Sequence, residues 1–510
     1  MQGVISGISF AIGYGLGLLT SKTIRWMVQK DPSKQIKMYA WRSLWAVPFI
    51  MLTFIILGHT WQNEVRELVG QQPANDIHIL NIAIVSLLVF FSLLYISRGI
   101  RLLSRKLSKL FAKWLPQRVG VVLGVGATVL IVIWILNGFL FQSFIDVSNN
   151  IYSKANNQTS EGVTQPKLPE RSGSPESIVP WNTLGSRGQD FVARGPSQQQ
   201  LQSFSGQQPT EQIRVYVGVN TAPTARQRAT IAAKELVRTK AFERDVLVLA
   251  TATGSGWLEP QSMDSIEYMY NGNSAIVSQQ YSYLPSWISF LVDNENAQDA
   301  ARELYDAVYT EWIKLPVNER PKLIAYGLSL GSFGGQSVYG SAQDVQRSVD
   351  GALFVGTPST TSLWQNITDN REPKSREILP VYDNGGSVRF AANQSDIQKP
   401  SENWQPSRLL YLQHPSDPVI WWNYDLILNE PDWLKEPRGD DVSSKTRWIP
   451  FVTFLQVTVD QFYGVTVPNG HGHNYPNIMV AAWDTVTNPE GWTSEKTESL
   501  QKIINTYANE

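Results

Sequence analysis

Four apolar stretches crowd the first 141 residues of this 510-residue chain, at roughly 4–19, 44–58, 79–96 and 119–141. Each approaches the ~20 residues with which a helix crosses a bilayer core, and lipid offers backbone groups no partner, so the region has to be helical. The first stretch has neither a basic leader nor a small-residue cleavage site, and it reads as a retained span rather than a removed signal. An all-α transmembrane domain is therefore expected over 1–148.

The loops set its orientation, because Lys and Arg collect on the cytoplasmic side. Lys22, Arg25, Lys30, Lys34, Lys37 and Arg42 separate the first two stretches; Arg98, Arg101, Arg105, Lys106, Lys109, Lys113 and Arg118 separate the last two. The loop between has only Arg66 against Glu64, Glu67 and Asp76. Both basic loops are expected inside and everything after the fourth span outside a cytoplasmic (inner) cell membrane. Leu103, Leu107, Leu110, Phe111 and Trp114 recur at helical spacing in the second basic loop, suggesting either a helix on the anionic leaflet or a plain topogenic loop.

The net charge of -1 hides this asymmetry. The chain has no cysteine, which excludes a thiol nucleophile and fits an oxidising compartment. Basic and aromatic residues are not interleaved as a nucleic-acid surface would require. No cofactor is expected.

Residues 149–212 are rich in Ser, Gln, Gly, Asn and Pro and read as a linker, with apolar anchors near 176–193 that suggest a docking segment. From 213 to 510 strand-like runs alternate with helix-like ones: 213–219, 245–251, 274–280, 323–326, 351–355 and 408–412, with helices at 225–240 and 297–313. That alternation predicts a doubly wound, mostly parallel α/β sheet. Residues 358–406 fit neither period and suggest a lid; 451–462 read as strand or helix.

Such a sheet carries reactive groups at strand C-termini. One strand-like run leads directly into Gly327-Leu328-Ser329-Leu330-Gly331. A G-x-S-x-G pentapeptide there makes a sharp strand-to-helix turn that lifts a serine clear of the sheet, so Ser329 is the candidate nucleophile. The run 408–412 leads into His414-Pro415-Ser416-Asp417-Pro418, where Asp417 is the candidate acid and Asp425 and Asp432 are substitutes. Of five histidines, His59 and His78 flank the apolar stretches and His414 lies too near the acid. Gly470-His471-Gly472-His473-Asn474-Tyr475 remains, with His473 preferred as base over His471 for its nearness to the helix-like run 477–485; a His-x-His metal site lacks accompanying ligands. The order Ser, Asp, His is that of α/β-hydrolases. Leu330 N–H and an N–H from Gly254 or Ser255, in Thr253-Gly254-Ser255-Gly256-Trp257, are the candidate oxyanion donors.

These residues, with Gln2-Gly3-Val4, Ser174-Pro175-Glu176-Ser177-Ile178-Val179-Pro180-Trp181 and Gln280-Tyr281-Ser282-Tyr283-Leu284-Pro285-Ser286-Trp287, resemble a bacterial family of polytopic membrane α/β-hydrolases. Its members join an N-terminal transmembrane domain to an extracytoplasmic hydrolase domain of largely unassigned substrate. The resemblance implies Ser329 as nucleophile. The chain begins inside the family's first characteristic segment, which would place a further helix upstream.

The expected activity is a membrane-anchored serine hydrolase forming an acyl-serine, with a membrane lipid or other acyl ester as substrate. An acyltransferase loading a cell-envelope acceptor would use the same residues. A non-catalytic envelope assembly or transport partner would have no need to hold Ser329, Asp417 and His473 together.

Overall fold

The computed structural model describes residues 1–29, 32–74, 78–400 and 403–507; two of the loop charges, Lys30 and Asp76, lie outside them. It divides into two units. One comprises Met1–Val147, Leu426–Asn429 and Lys445–Val459, the other Ser148–Asp425, Glu430–Ser444 and Asp460–Glu510.

Among the described residues four helices are long and apolar enough to cross a membrane, Gln2–Val28, Lys34–Leu68, Leu80–Phe111 and Gln117–Asn156, consistent with a multi-pass membrane protein. Their outward side chains, such as Leu88, Val122 and Leu130, are exposed apolar groups of the kind a bilayer covers. Where helices meet, small residues allow close approach. A Cβ on Gly7 would fall 2.6 Å from the Ser86 carbonyl oxygen, and one on Gly120 would fall 2.7 Å from the Ala112 nitrogen. The helix Ile79–Phe111 runs unbroken through the basic segment, so residues 103–111 continue the helix of the third apolar stretch rather than forming a loop. Gly99 is the only breaker there, and a single glycine costs a helix just ~1 kcal/mol.

The other unit is built on a seven-stranded parallel sheet: β1 Ile213–Val217, β2 Val246–Thr251, β3 Ser274–Gln279, β4 Lys322–Leu328, β5 Gly351–Val355, β6 Val388–Ala391 and β7 Arg408–Leu412, in the order β1-β3-β2-β4-β5-β7-β6. The strands are buried on both faces, as parallel strands under helices must be. β6 lies within the stretch expected as a lid. It is only four residues long, and the buried Arg389 interrupts its apolar run while donating to the Gly385 and Ile397 carbonyls. Residues Val452–Asp460 are helical, and among the described residues no strand follows β7.

Residues 149–212 are packed rather than extended. Leu184, Val192 and Leu201 are wholly buried, and Arg171 donates to the Val192 and Arg194 carbonyls. Arg214 of β1 donates to the Phe191 carbonyl while binding Glu267 at 2.6 Å and Asp264 at 2.7 Å. Burial alone would lower its pKa, but the two carboxylates hold it above the ordinary arginine value. Ser177 and the Ile178 N–H bind Glu235 of the helix Ala225–Arg238.

Candidate active site

β4 ends at Leu328, and the helix Leu330–Gln336 begins two residues later. Ser329 makes the turn between them with φ 57° and ψ −124°, a backbone conformation that non-glycine residues seldom adopt and that functional sites retain when the surroundings enforce it. The enforcement is visible. Ser329 N–H donates to the Val355 carbonyl at 2.8 Å, and Phe333 N–H donates to the Ser329 carbonyl at 3.0 Å. A Cβ on Gly327 would meet the backbone of Gly331 and Ser332, and one on Gly331 would meet the Thr251 carbonyl, so both glycines are sterically required. The serine is 8% exposed.

Asp417 follows β7 and is wholly buried. Its Oδ1 accepts from Val419 N–H at 2.8 Å; its Oδ2 accepts from His473 Nδ1 at 2.7 Å and from the Tyr475 hydroxyl at 2.6 Å. With Nδ1 donating, the neutral imidazole carries its free lone pair on Nε2. That atom is buried and makes no hydrogen bond among the described residues, Ser329 included. Such bonds are often long before substrate binds. Gly356, at φ 55° just beyond β5, lies against the His473 ring, where a Cβ would fall on the imidazole. The Val355–Gly356 step thus holds Ser329 by its carbonyl and abuts His473, bringing both to one strand end.

A profile described as the alpha/beta-hydrolase family matches residues 213–500, more than half of the chain. The chain belongs to this family. A second profile, of the family's N-terminus, matches residues 1–196. No curated protein and no solved structure gives a match.

Within this hydrolase domain His471 turns away from Asp417. Its Nδ1 lies 3.2 Å from Asp441 Oδ2, and its side chain is 28% exposed. Asp441 also accepts from the Ser416 hydroxyl at 2.5 Å, and Ser416 in turn accepts from Gly472 N–H at 2.8 Å. Asp432 is engaged with Arg371 at 2.9 Å, which with Lys435 lowers its pKa, and Asp425 is exposed. Neither substitute acid meets a histidine. His414 donates from Nδ1 to the Gly472 carbonyl at 2.9 Å and stacks on Tyr475 with ring centres 4.1 Å apart; burial lowers its pKa, favouring the neutral ring.

Thr251 pairs with Gly327, so the turn after β2 leaves the same sheet edge as Ser329. Gly254 and Ser255 lie in it, and it is closed by Thr253 N–H to Trp257 O at 3.0 Å and Gly256 N–H to Thr253 O at 2.8 Å. Leu330 opens its helix, so its N–H has no partner within that helix. Among the described residues no group of three or more His, Cys, Asp or Glu side chains could hold a metal ion.

Sequence reasoning assigned no role to Tyr475, Asp441 or Gly356. Tyr475 stood in the histidine string and could have been found as a buried hydroxyl near a carboxylate; Asp441, 24 residues beyond Asp417, left no local signal.

Proposed function

We propose that the protein is a serine hydrolase that cleaves acyl esters through an acyl-serine. Ser329 Oγ attacks the ester carbonyl carbon as His473 Nε2 takes its proton, and Asp417 holds the resulting imidazolium. Leu330 N–H and an N–H of Gly254 or Ser255 bind the oxyanion. The C–O bond breaks as His473 returns the proton to the departing alkoxide, and water then repeats the sequence to release the acid. The observation that carries this reading is the pairing of a serine at positive φ with a buried imidazole whose Nδ1 is held by Asp417 and whose Nε2 is unpartnered.

A lipid-like acyl group is supported by the apolar rim beside the imidazole. His473 N–H donates to the Gly464 carbonyl at 2.8 Å, and Phe462, Tyr463 and Val465 beside Gly464, with Trp287 against Phe462, are 39 to 61% exposed. The Trp287 and Phe462 rings meet at 5.6 Å. The loop charges support an active site on the outer side of the cytoplasmic membrane. Labelling of the full chain in detergent with a fluorophosphonate tests the chemistry: labelling is expected in wild type and lost in Ser329→Ala and His473→Ala. A folded wild type that never labels would overturn the proposal.

A further inference from the structure

The string Gln280-Tyr281-Ser282-Tyr283-Leu284-Pro285-Ser286-Trp287 touches both candidate oxyanion elements. Gln280 directly follows β3 and is wholly buried, and its own N–H extends the sheet by donating to the Val217 carbonyl at 2.9 Å. Both side-chain amide hydrogens and the amide oxygen are bonded. Nε2 donates to the Ser255 carbonyl at 3.1 Å and to Asn156 Oδ1 at 2.8 Å, while Oε1 accepts from Val219 N–H at 3.1 Å. One residue further along the turn, the Gly256 carbonyl accepts from the Tyr216 hydroxyl at 2.7 Å. The same string meets the turn from its other side, because a Cβ on Gly254 would fall 2.8 Å from Ser286 Cα and 2.9 Å from the Leu284 carbonyl oxygen.

Tyr281 reaches the second element. It is buried in one core cluster with Leu330, Phe333, Ala297 and Ala300, the cluster that also packs the residue whose N–H opens the helix after Ser329. The string is itself braced: Ser282 donates to Asp293 at 2.7 Å and accepts from Leu284 N–H at 3.1 Å. Asn156, the acceptor for Gln280, ends the helical run Gln117–Asn156 and is buried against Gly185, where a Cβ would fall on its amide.

We propose that Gln280 is a positioning residue for the oxyanion hole: its amide, anchored on Asn156, holds the Ser255 carbonyl so that the Gly254 and Ser255 N–H groups, which the turn's own hydrogen bonds leave out, stay aimed at Ser329. This rests on the acyl-serine reading. Oxyanion donors act through preorganisation, so a turn free to rotate loses transition-state stabilisation without losing ground-state binding.

Gln280→Glu removes both donors at once: it keeps the shape and the acceptor for Val219 but sets an oxygen against the Ser255 carbonyl and Asn156 Oδ1 and buries a carboxyl, so its fold is checked first by thermal unfolding. With a 4-nitrophenyl ester and the full chain in detergent, kcat is expected to fall about 10- to 100-fold with KM within about threefold. Affinity for a trifluoromethyl ketone, which forms the oxyanion, should fall by the same factor as kcat/KM. Asn156→Ala provides a milder second variant, with a smaller loss of kcat at unchanged KM, and the double variant should be no worse than Gln280→Glu. Wild-type labelling at Ser329 together with unchanged kcat in folded Gln280→Glu and Asn156→Ala would overturn this inference alone. Loss of kcat with ketone affinity unchanged would also overturn it, whereas absence of wild-type labelling would remove the acyl-serine reading beneath it.

Discussion

His471 and His473 stand two residues apart in one glycine loop, each with Nδ1 on an aspartate, yet their surroundings differ. His473 reaches a fully buried carboxylate at 2.7 Å and makes no hydrogen bond through Nε2 among the described residues, beside β5, the strand neighbour of Ser329; His471 reaches Asp441 at 3.2 Å from a partly exposed position. Gly472, at φ 52°, makes the alternation possible, because its turn sends the two rings to different partners. An imidazole–aspartate pair by itself therefore does not single out the proposed base. What distinguishes His473 is the sheet edge it shares with Ser329, while the Asp441–Ser416–Gly472 chain braces the loop.

The strongest way to break this comparison is to remove each ring in turn. His473→Ala should lower kcat on an activated ester roughly 10⁴-fold or more, and His471→Ala less than about tenfold. Equal losses would mean that the two rings share the work. The carboxylates come next: Asp417→Asn should cost roughly 10³- to 10⁴-fold by allowing the wrong tautomer, while Asp441→Asn, whose partners include a partly exposed ring, should cost about tenfold or less, both read from kcat at saturating ester. Tyr475→Phe removes one of three donors to Asp417. It should lower kcat by about three- to tenfold and, because a buried acceptor loses a partner, reduce stability by about 1–3 kcal/mol in a denaturant titration.

The smallest effect concerns pH. His414 spans the pair through Gly472, and burial holds its pKa below the unfolded value of about 6.5. Above that pH both states are neutral and the residue contributes no slope. As pH falls below it the unfolded chain binds the proton first, so the folded state loses stability. Thermal unfolding of wild type should fall more steeply on acidification than that of His414→Phe, which keeps a ring over Tyr475 but cannot titrate. Parallel slopes would show that His414 does not titrate in this way.

Much of the fold was legible because each signal was local. Apolar length marks the membrane-crossing helices, and strands such as 246–251 and 351–355 announce themselves as short apolar runs ended by turn residues. β6 was hidden because its four residues carry a buried arginine, satisfied by carbonyls at 385 and 397. The packing of 149–212 was hidden for a related reason: its polar composition resembles a tether, yet Arg171 and Arg214 bind its carbonyls and tie it to β1. In the site, Ser329 and the histidine loop were legible as motifs. Their surroundings were not, since Gly356, Tyr475 and Asp441 gain meaning only by proximity.

The sequence by itself determined the helical N-terminal region, the doubly wound parallel sheet and the Ser-Asp-His order, because backbone hydrogen bonding and side-chain periodicity act over a few residues. Only the tertiary structure decided which histidine meets Asp417, what occupies the second aspartate, and how Gln280 grips the turn after β2. Those contacts join residues tens to more than a hundred positions apart, and only the assembled sheet supplies the burial that makes an unpaired Nε2 or a fully bonded amide consequential.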